Sequence, residues 1–247
     1  MDPKVALITG ANKGIGKEVA RQLGAAKVSV VLGIRDARRG AAAEAELSAE
    51  GVDCRLARLD VTDATSIANT ARRIEADFGR LDFLVNNAGI AVLAEDGHPS
   101  AVGLDIFRRT FETNTFGVVA VTNAMLPLLL RAPAGRIINV SSEVGSLTHA
   151  SDPVHPAFAY NPQYVFNMVA YNSSKTALNA LTVAYAKELR YTSVTINSVC
   201  PGYVATDING HSGFLTTTQG AEMVVRALLD ETTPHGAFFG PYGPFPW

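Results

Sequence analysis

Short apolar runs recur through this chain, and they constrain its fold more than any other feature. Residues 5–8, 28–32, 54–59, 83–85, 137–140, 194–199 and 237–239 form seven such runs. Most are apolar nearly throughout, as strands buried on both faces of a parallel sheet are. Arg55 and Arg58 break the third run, which places it nearer an edge. Helix-length stretches separate the runs. Residues 41–50 are rich in Ala, Glu and Leu, all good helix formers. Asp63 is placed to cap a helix ending near Phe78. The alternation predicts an α/β fold, in which residues 1–247 make a single domain. Its core is a doubly wound parallel sheet of about seven strands with helices on both faces.

Composition narrows the function classes. Hydrophobic residues make up 47% and charged residues 18%, enough apolar material for a substantial core and unlike a disordered chain. A net charge of −2 gives no electrostatic case for nucleic acid or an acidic membrane as partner. No apolar run approaches membrane-spanning length, and Pro127 interrupts the best candidate. The start, Met1-Asp2-Pro3-Lys4, leads into an apolar strand without a signal-length apolar run. Cys54 and Cys200 are too few for a disulfide framework or a zinc site and are expected to be buried as small hydrophobes. No His/Cys/Asp cluster has metal-ligand spacing. The expectation is a reduced, cytoplasmic protein.

Two motifs carry chemistry. Thr9-Gly10-Ala11-Asn12-Lys13-Gly14-Ile15-Gly16 follows the first strand. Its glycines permit a tight turn and close approach to a phosphate. The helix opening near Gly14 would offer free N–H groups to a pyrophosphate. The glycine spacing differs from G-x-G-x-x-G. The second motif is Tyr171-Asn172-Ser173-Ser174-Lys175, in a stretch that reads as helix from about Phe166 to Arg190. Positions four apart share a helix face, so the phenol and the ammonium can meet. A nearby cation favours phenolate and lowers the tyrosine pKa, making a tuned proton donor. Asn114 lies in an otherwise helical stretch with Gly117 close by, a break in helix propensity of the kind found at functional sites.

Together with Asn86-Asn87-Ala88-Gly89, Ser142 and Pro201-Gly202, these motifs appear in the order seen in short-chain dehydrogenases/reductases, which the chain resembles over nearly its full length. The resemblance implies a catalytic set of Asn114, Ser142, Tyr171 and Lys175. Ser142 is preferred over Ser141 because the family serine immediately precedes x-x-Gly. In similar proteins the asparagine bends its helix and holds a water in a proton relay, and the lysine holds the cofactor ribose. Cofactor contacts are implied at Gly10, Asn12, Lys13, Gly14, Ile15 and Gly16 of the turn. Further contacts are implied at Arg35, Asp60, Val61, Asn87, Ala88 and Gly89. On the nicotinamide side they are Tyr171, Lys175, Pro201, Gly202, Val204 and Thr206. On the residues alone, Asp60 also reads as a turn cap, and Asn86 to Gly89 as a plain turn. Residues from about 205 to 218 would form a substrate loop.

The cofactor form is read from the end of the second strand. A carboxylate there binds the unphosphorylated ribose and repels a 2′-phosphate. Here the strand ends Leu32-Gly33-Ile34-Arg35-Asp36, and Lys13 adds a second cation within the glycine turn. Arg35 and Lys13 therefore point to NADP(H). Asp36 either reaches the ribose or caps the following helix. Between Ser142 and Tyr171 the chain is longer than in a typical member, and residues 147–168 resemble the insertion of the carbonyl reductase branch. His149 and His155 within it are pocket or loop residues. The implied function is NADPH-dependent reduction of a small-molecule carbonyl. The alternatives are an alcohol dehydrogenase working in the oxidative direction and a non-catalytic nucleotide-binding regulator. The insert precedes the helix that related tetramers pack together, so a monomer is favoured over a dimer or tetramer.

Overall fold

Apolar sequence broken only by a terminal Thr9 and Ser29 leaves β1 (Val5–Thr9) and β2 (Ser29–Ile34) no polar face, and both are buried along their whole length. The computed structural model describes residues 3–152, 154 and 168–247. The other strands are β3 (Cys54–Arg58), β4 (Phe83–Asn86), β5 (Arg136–Val140), β6 (Thr195–Val199), β7 (Phe238–Gly240) and β8 (Gly243–Pro244). They form one eight-stranded sheet, in the order β3-β2-β1-β4-β5-β6-β7-β8. The first seven run parallel, and β8 turns back antiparallel on β7. The expected seven strands are thus joined by an eighth, two residues long, which no apolar run could announce. β3 lies at the edge with Arg55 and Arg58 exposed, as their charge predicts.

Alternate residues of each strand feed two cores. Ala6 and Ile8 of β1 pack beneath α1 (Gly14–Ala25), α2 (Ala37–Ala49) and, near the end of the chain, a helix at Thr217–Leu229. Val5 and Leu7 face the other way, toward α3 (Ala64–Phe78), a long helix containing Gly117–Leu129, and Val169–Leu189. Strand order reverses between β1 and β4, which opens a crevice at the carboxyl ends of the central strands.

Local sequence explains most helix limits. Asp63 caps α3 by accepting from the Thr65 and Ser66 amides, and Gly79 ends it at φ +72°. α2 begins four residues before the expected 41–50 stretch because Asp36 caps it, accepting from the Arg39 amide at 2.9 Å. α4 (Leu104–Phe111) runs through a π-helical turn, Glu112–Phe116, into α5 (Gly117–Leu129). α6 (Leu147–Ser151) opens the 147–168 segment. Residues 153 and 155–167, including His155, lie outside the described residues. α7 (Val169–Leu189) carries the Tyr171 motif, and Phe166, the expected helix start, also lies outside them.

α8 (Thr217–Leu229) begins inside the stretch expected to be a substrate loop. The reason is a capping box, in which Thr216 and Gln219 satisfy each other's backbone amides. Among the described residues no helix is long and apolar enough to cross a membrane.

Candidate active site

The glycine turn needs its glycines. Gly10 and Gly14 sit at φ +68° and +56°, where a β-carbon is strained. At Gly16 a β-carbon would come within 2.4 Å of Asn87 Nδ2 and 2.7 Å of the Gly10 carbonyl. Asn87 and Ala88 hold the turn from the side. Asn87 Nδ2 donates to the Thr9 carbonyl at 2.9 Å and the Gly10 carbonyl at 3.2 Å. Thr9 Oγ1 accepts from the Asn87 and Ala88 amides at 3.0 and 2.9 Å. α1 receives no side-chain cap from its N-cap residue Lys13, whereas α2, α3 and α8 are capped by Asp36, Asp63 and Thr216. The positive end of α1 therefore opens toward the cleft, as an anion site requires.

Three cations line this cleft: Lys13 of the glycine turn, and Arg35 and Arg39 beyond β2. Sequence reasoning missed Arg39, which lies in the first turn of α2. Arg35 is 78% exposed, with Nε 3.9 Å from Asp60 Oδ2. The other Asp60 oxygen accepts from the Thr62 amide at 3.0 Å and its hydroxyl at 2.8 Å, so the turn-capping alternative is realised. Asp36 is occupied as the cap of α2, and the Arg39 amide holds its carboxyl below the usual range. Lys13 pairs with Asp207, whose other oxygen lies 2.7 Å from His211 Nε2. The Lys13 hydrogen bond, with His211, holds the Asp207 carboxyl below its ordinary pKa.

α7 presents Tyr171 and Lys175 to the same cleft. Lys175 is buried, donates from Nζ to the Val140 carbonyl at 2.9 Å and lies 5.6 Å from the Tyr171 ring centre. Burial pushes its pKa down to about 8. Ser142 stands where β5 ends, followed by a 3-10 turn, Glu143–Gly145. Gly145 lies so close to α7 that a β-carbon would come within 2.8 Å of the Lys175 carbonyl carbon. This close packing ties the serine turn to the helix bearing the Tyr and Lys. Ser141 is buried and donates to Asn179 Oδ1 at 2.7 Å, a structural role.

Asn114 occupies the π-helical turn, a distortion common at functional sites. Its Oδ1 accepts from the Ile90 amide at 2.8 Å, and its Nδ2 donates to the Ile90 carbonyl at 2.9 Å and Ser174 Oγ at 3.0 Å. Asn114 thus joins the loop after β4 to α7. Beyond β6, buried Cys200 accepts at Sγ from the Glu143 and Gly202 amides at 3.3 and 3.4 Å, and burial raises its pKa to about 11. Both cysteines are buried and unpaired.

Apart from Asn114, which is buried behind the wall, every residue expected at the site lines one cleft of about 820 Å³. Gly10, Asn12, Gly14, Ile15 and Gly16 form its floor with Val61, Asn87, Ala88 and Gly89. Pro201, Gly202, Val204 and Thr206 line it beside Ser142, Tyr171 and Lys175. Tyr203, beside the expected Pro201-Gly202, and Phe214 of the expected substrate loop also line it, and sequence reasoning missed Leu93, Glu143, Tyr242 and Phe245. His149 is not on the wall; it lies 3.2 Å from Glu143 and packs on the Phe245 ring. Among the described residues no group of three or more His, Cys, Asp or Glu side chains could hold a metal.

The same arrangement has counterparts. The family model described as short chain dehydrogenase matches residues 4–157 and 160–213. Short-chain dehydrogenase/reductase 1 of Saponaria officinalis is 36% identical, over 96% of this chain and 93% of that protein. Carbonyl reductase [NADPH] 3 of Rattus norvegicus is 35% identical, over 94% of each. The crystal structure of NADPH-bound carbonyl reductase from chicken fatty liver is 27% identical, covers 100% of both chains and superposes with a TM-score of 0.86.

Proposed function

Because the chain belongs to the short-chain dehydrogenase/reductase family, we propose that it is an NADPH-dependent carbonyl reductase. It takes a ketone or aldehyde to the alcohol, with Tyr171 as proton donor. One observation carries this reading: Tyr171, Lys175 and Ser142 line the same cleft as Lys13, Arg35 and Arg39. The cleft fits the dinucleotide on its own features. The uncapped start of α1 suits a pyrophosphate, and the cation group suits a 2′-phosphate. Asp36, the acid that could have favoured NAD(H), lines the cleft but commits one oxygen to capping α2.

When bound, NADPH supplies the hydride. Tyr171 gives its proton to the substrate oxygen as charge develops there. Lys175, with a pKa near 8, remains charged at neutral pH and stabilises the phenolate left behind. Ser142 donates a hydrogen bond to the same oxygen and orients the carbonyl. Asn114 holds the turn through which the site is resupplied with protons from solvent. The test is cofactor oxidation with NADPH and with NADH against ketones, aldehydes and quinones. Turnover with NADPH supports the reading. Oxidation of alcohols alone would favour the dehydrogenase alternative.

A further inference from the structure

α7 has an unusual start. Its Tyr171 lies in the first turn, where backbone amides have no partner inside the helix. The N-cap residue, Met168, offers no side-chain acceptor. The partners come instead from the loop after β4, more than seventy residues earlier. Asp96 Oδ1 accepts from the Ala170 amide at 3.1 Å, and its Oδ2 accepts from the Tyr171 amide at 3.0 Å. The Val169 amide donates to the neighbouring Gly97 carbonyl at 3.3 Å. The Asn172 amide already reaches the Met168 carbonyl at 2.8 Å. One carboxylate therefore grips two adjacent amides, one of them that of Tyr171. Its own loop is held in turn, since the Asp96 amide donates to the Val92 carbonyl and the Gly97 amide to Asp96 Oδ1, each at 2.9 Å.

We propose that Asp96 is a positioning residue for the reaction, acting as a borrowed cap that fixes the first turn of α7 and with it the Tyr171 hydroxyl. This rests on Tyr171 being the proton donor. A negative carboxylate at a helix N-terminus is favourable through both hydrogen bonding and the helix dipole. Loss of the cap frays the first turn and not the rest. Lys175 sits one turn further in, buried and held by the Val140 carbonyl. The fork thus locates Tyr171 without being needed for Lys175 or for the dinucleotide end of the cleft.

The consequences separate cleanly. Asp96→Ala is expected to lower kcat about tenfold, the scale of a lost cap. NADPH affinity, measured by fluorescence titration, stays within about twofold by the same argument. Asp96→Asn keeps one acceptor oxygen and recovers part of the rate. Amide exchange at residues 169–172 speeds up, while residues 176–189 stay protected. The decisive comparison is a double-mutant cycle with Tyr171→Phe. If Asp96 works through the hydroxyl, Asp96→Ala costs nothing further once the hydroxyl is gone. An equal loss in both backgrounds, or a parallel loss of NADPH affinity, would mean a general structural role and overturn the proposal. Unchanged kcat in Asp96→Ala beside an inactive Tyr171→Phe would also overturn it, leaving the proton-donor assignment intact. An active Tyr171→Phe would instead remove the reading on which it rests.

Discussion

Lys175 concentrates the electrostatics of the site in one side chain. Burial lowers its pKa from the ordinary 10.5 to about 8. Between those values the unfolded chain binds more protons than the folded one, so stability rises with pH across this window. Below about pH 8 the folded protein carries a buried charge whose cost is fully present. The unfolding free energy of the wild type, less that of Lys175→Met, is expected to rise by roughly 2–3 kcal/mol between pH 7 and 10. A flat difference in paired denaturation curves would contradict the burial effect. Arg35, just beyond β2 on the same cleft, is the second charged residue to test. Arg35→Ala should lower NADPH efficiency at least about tenfold, as loss of a charge-assisted contact does, and change NADH efficiency much less. Equal weakening of both would remove Arg35 from phosphate recognition. Both positions stood out in the sequence only through the motifs around them, since charge beside a strand end or four residues from a tyrosine is common on a surface. Arg39 did not, because only the cap at Asp36 decides where α2 begins and hence which way Arg39 turns.

Elements hold these residues through close backbone contacts that spacing only hints at. The x-x-Gly after Ser142 is what singles out this serine over Ser141, and Gly145 of that pattern packs on the α7 backbone. The listener in that contact is main chain, which cannot swing aside. Gly145→Ala should therefore destabilise the fold by about 1–3 kcal/mol, the cost of overpacking, and lower turnover with it. A thermal melt matching wild type would contradict this account of the turn. The π-helical turn at Asn114 was foreshadowed by a propensity break, although its partners, Ile90 and Ser174, could not be read from a one-dimensional pattern. Strands were legible from their apolar runs, because a sheet buried on both faces keeps its strands mostly apolar, with the few buried polar residues such as Asn139 and Asn197 held by hydrogen bonds. β8 was not, since two residues carry no period. The start of α8 was legible in principle from Thr216 and Gln219, and the Gly, Ser and Thr content of that stretch outweighed the capping signal.

At the scale of the whole molecule, the doubly wound sheet explains why motifs scattered from residue 9 to residue 206 meet. Every parallel strand ends on the same edge, so each following loop adds to one crevice. Tyr242 and Phe245, which join Tyr203 and Phe214 in lining the cleft, escaped sequence reading because nothing local records which loops converge. Assembly depends on whether residues 147–168 cover the outer face of α7. The covering role predicts a monomer or weak dimer by light scattering at micromolar concentration, and a tetramer unaffected by dilution would contradict it. The central claim is that the cleft performs NADPH-dependent carbonyl reduction through the Tyr171 hydroxyl. The most direct measurement is the rate of NADPH oxidation by a ketone and aldehyde panel, wild type against Tyr171→Phe, with NADPH affinity measured alongside. The account predicts a loss of at least about a hundredfold in turnover, the scale of general acid catalysis, with cofactor binding retained. Near-normal turnover in Tyr171→Phe would contradict it.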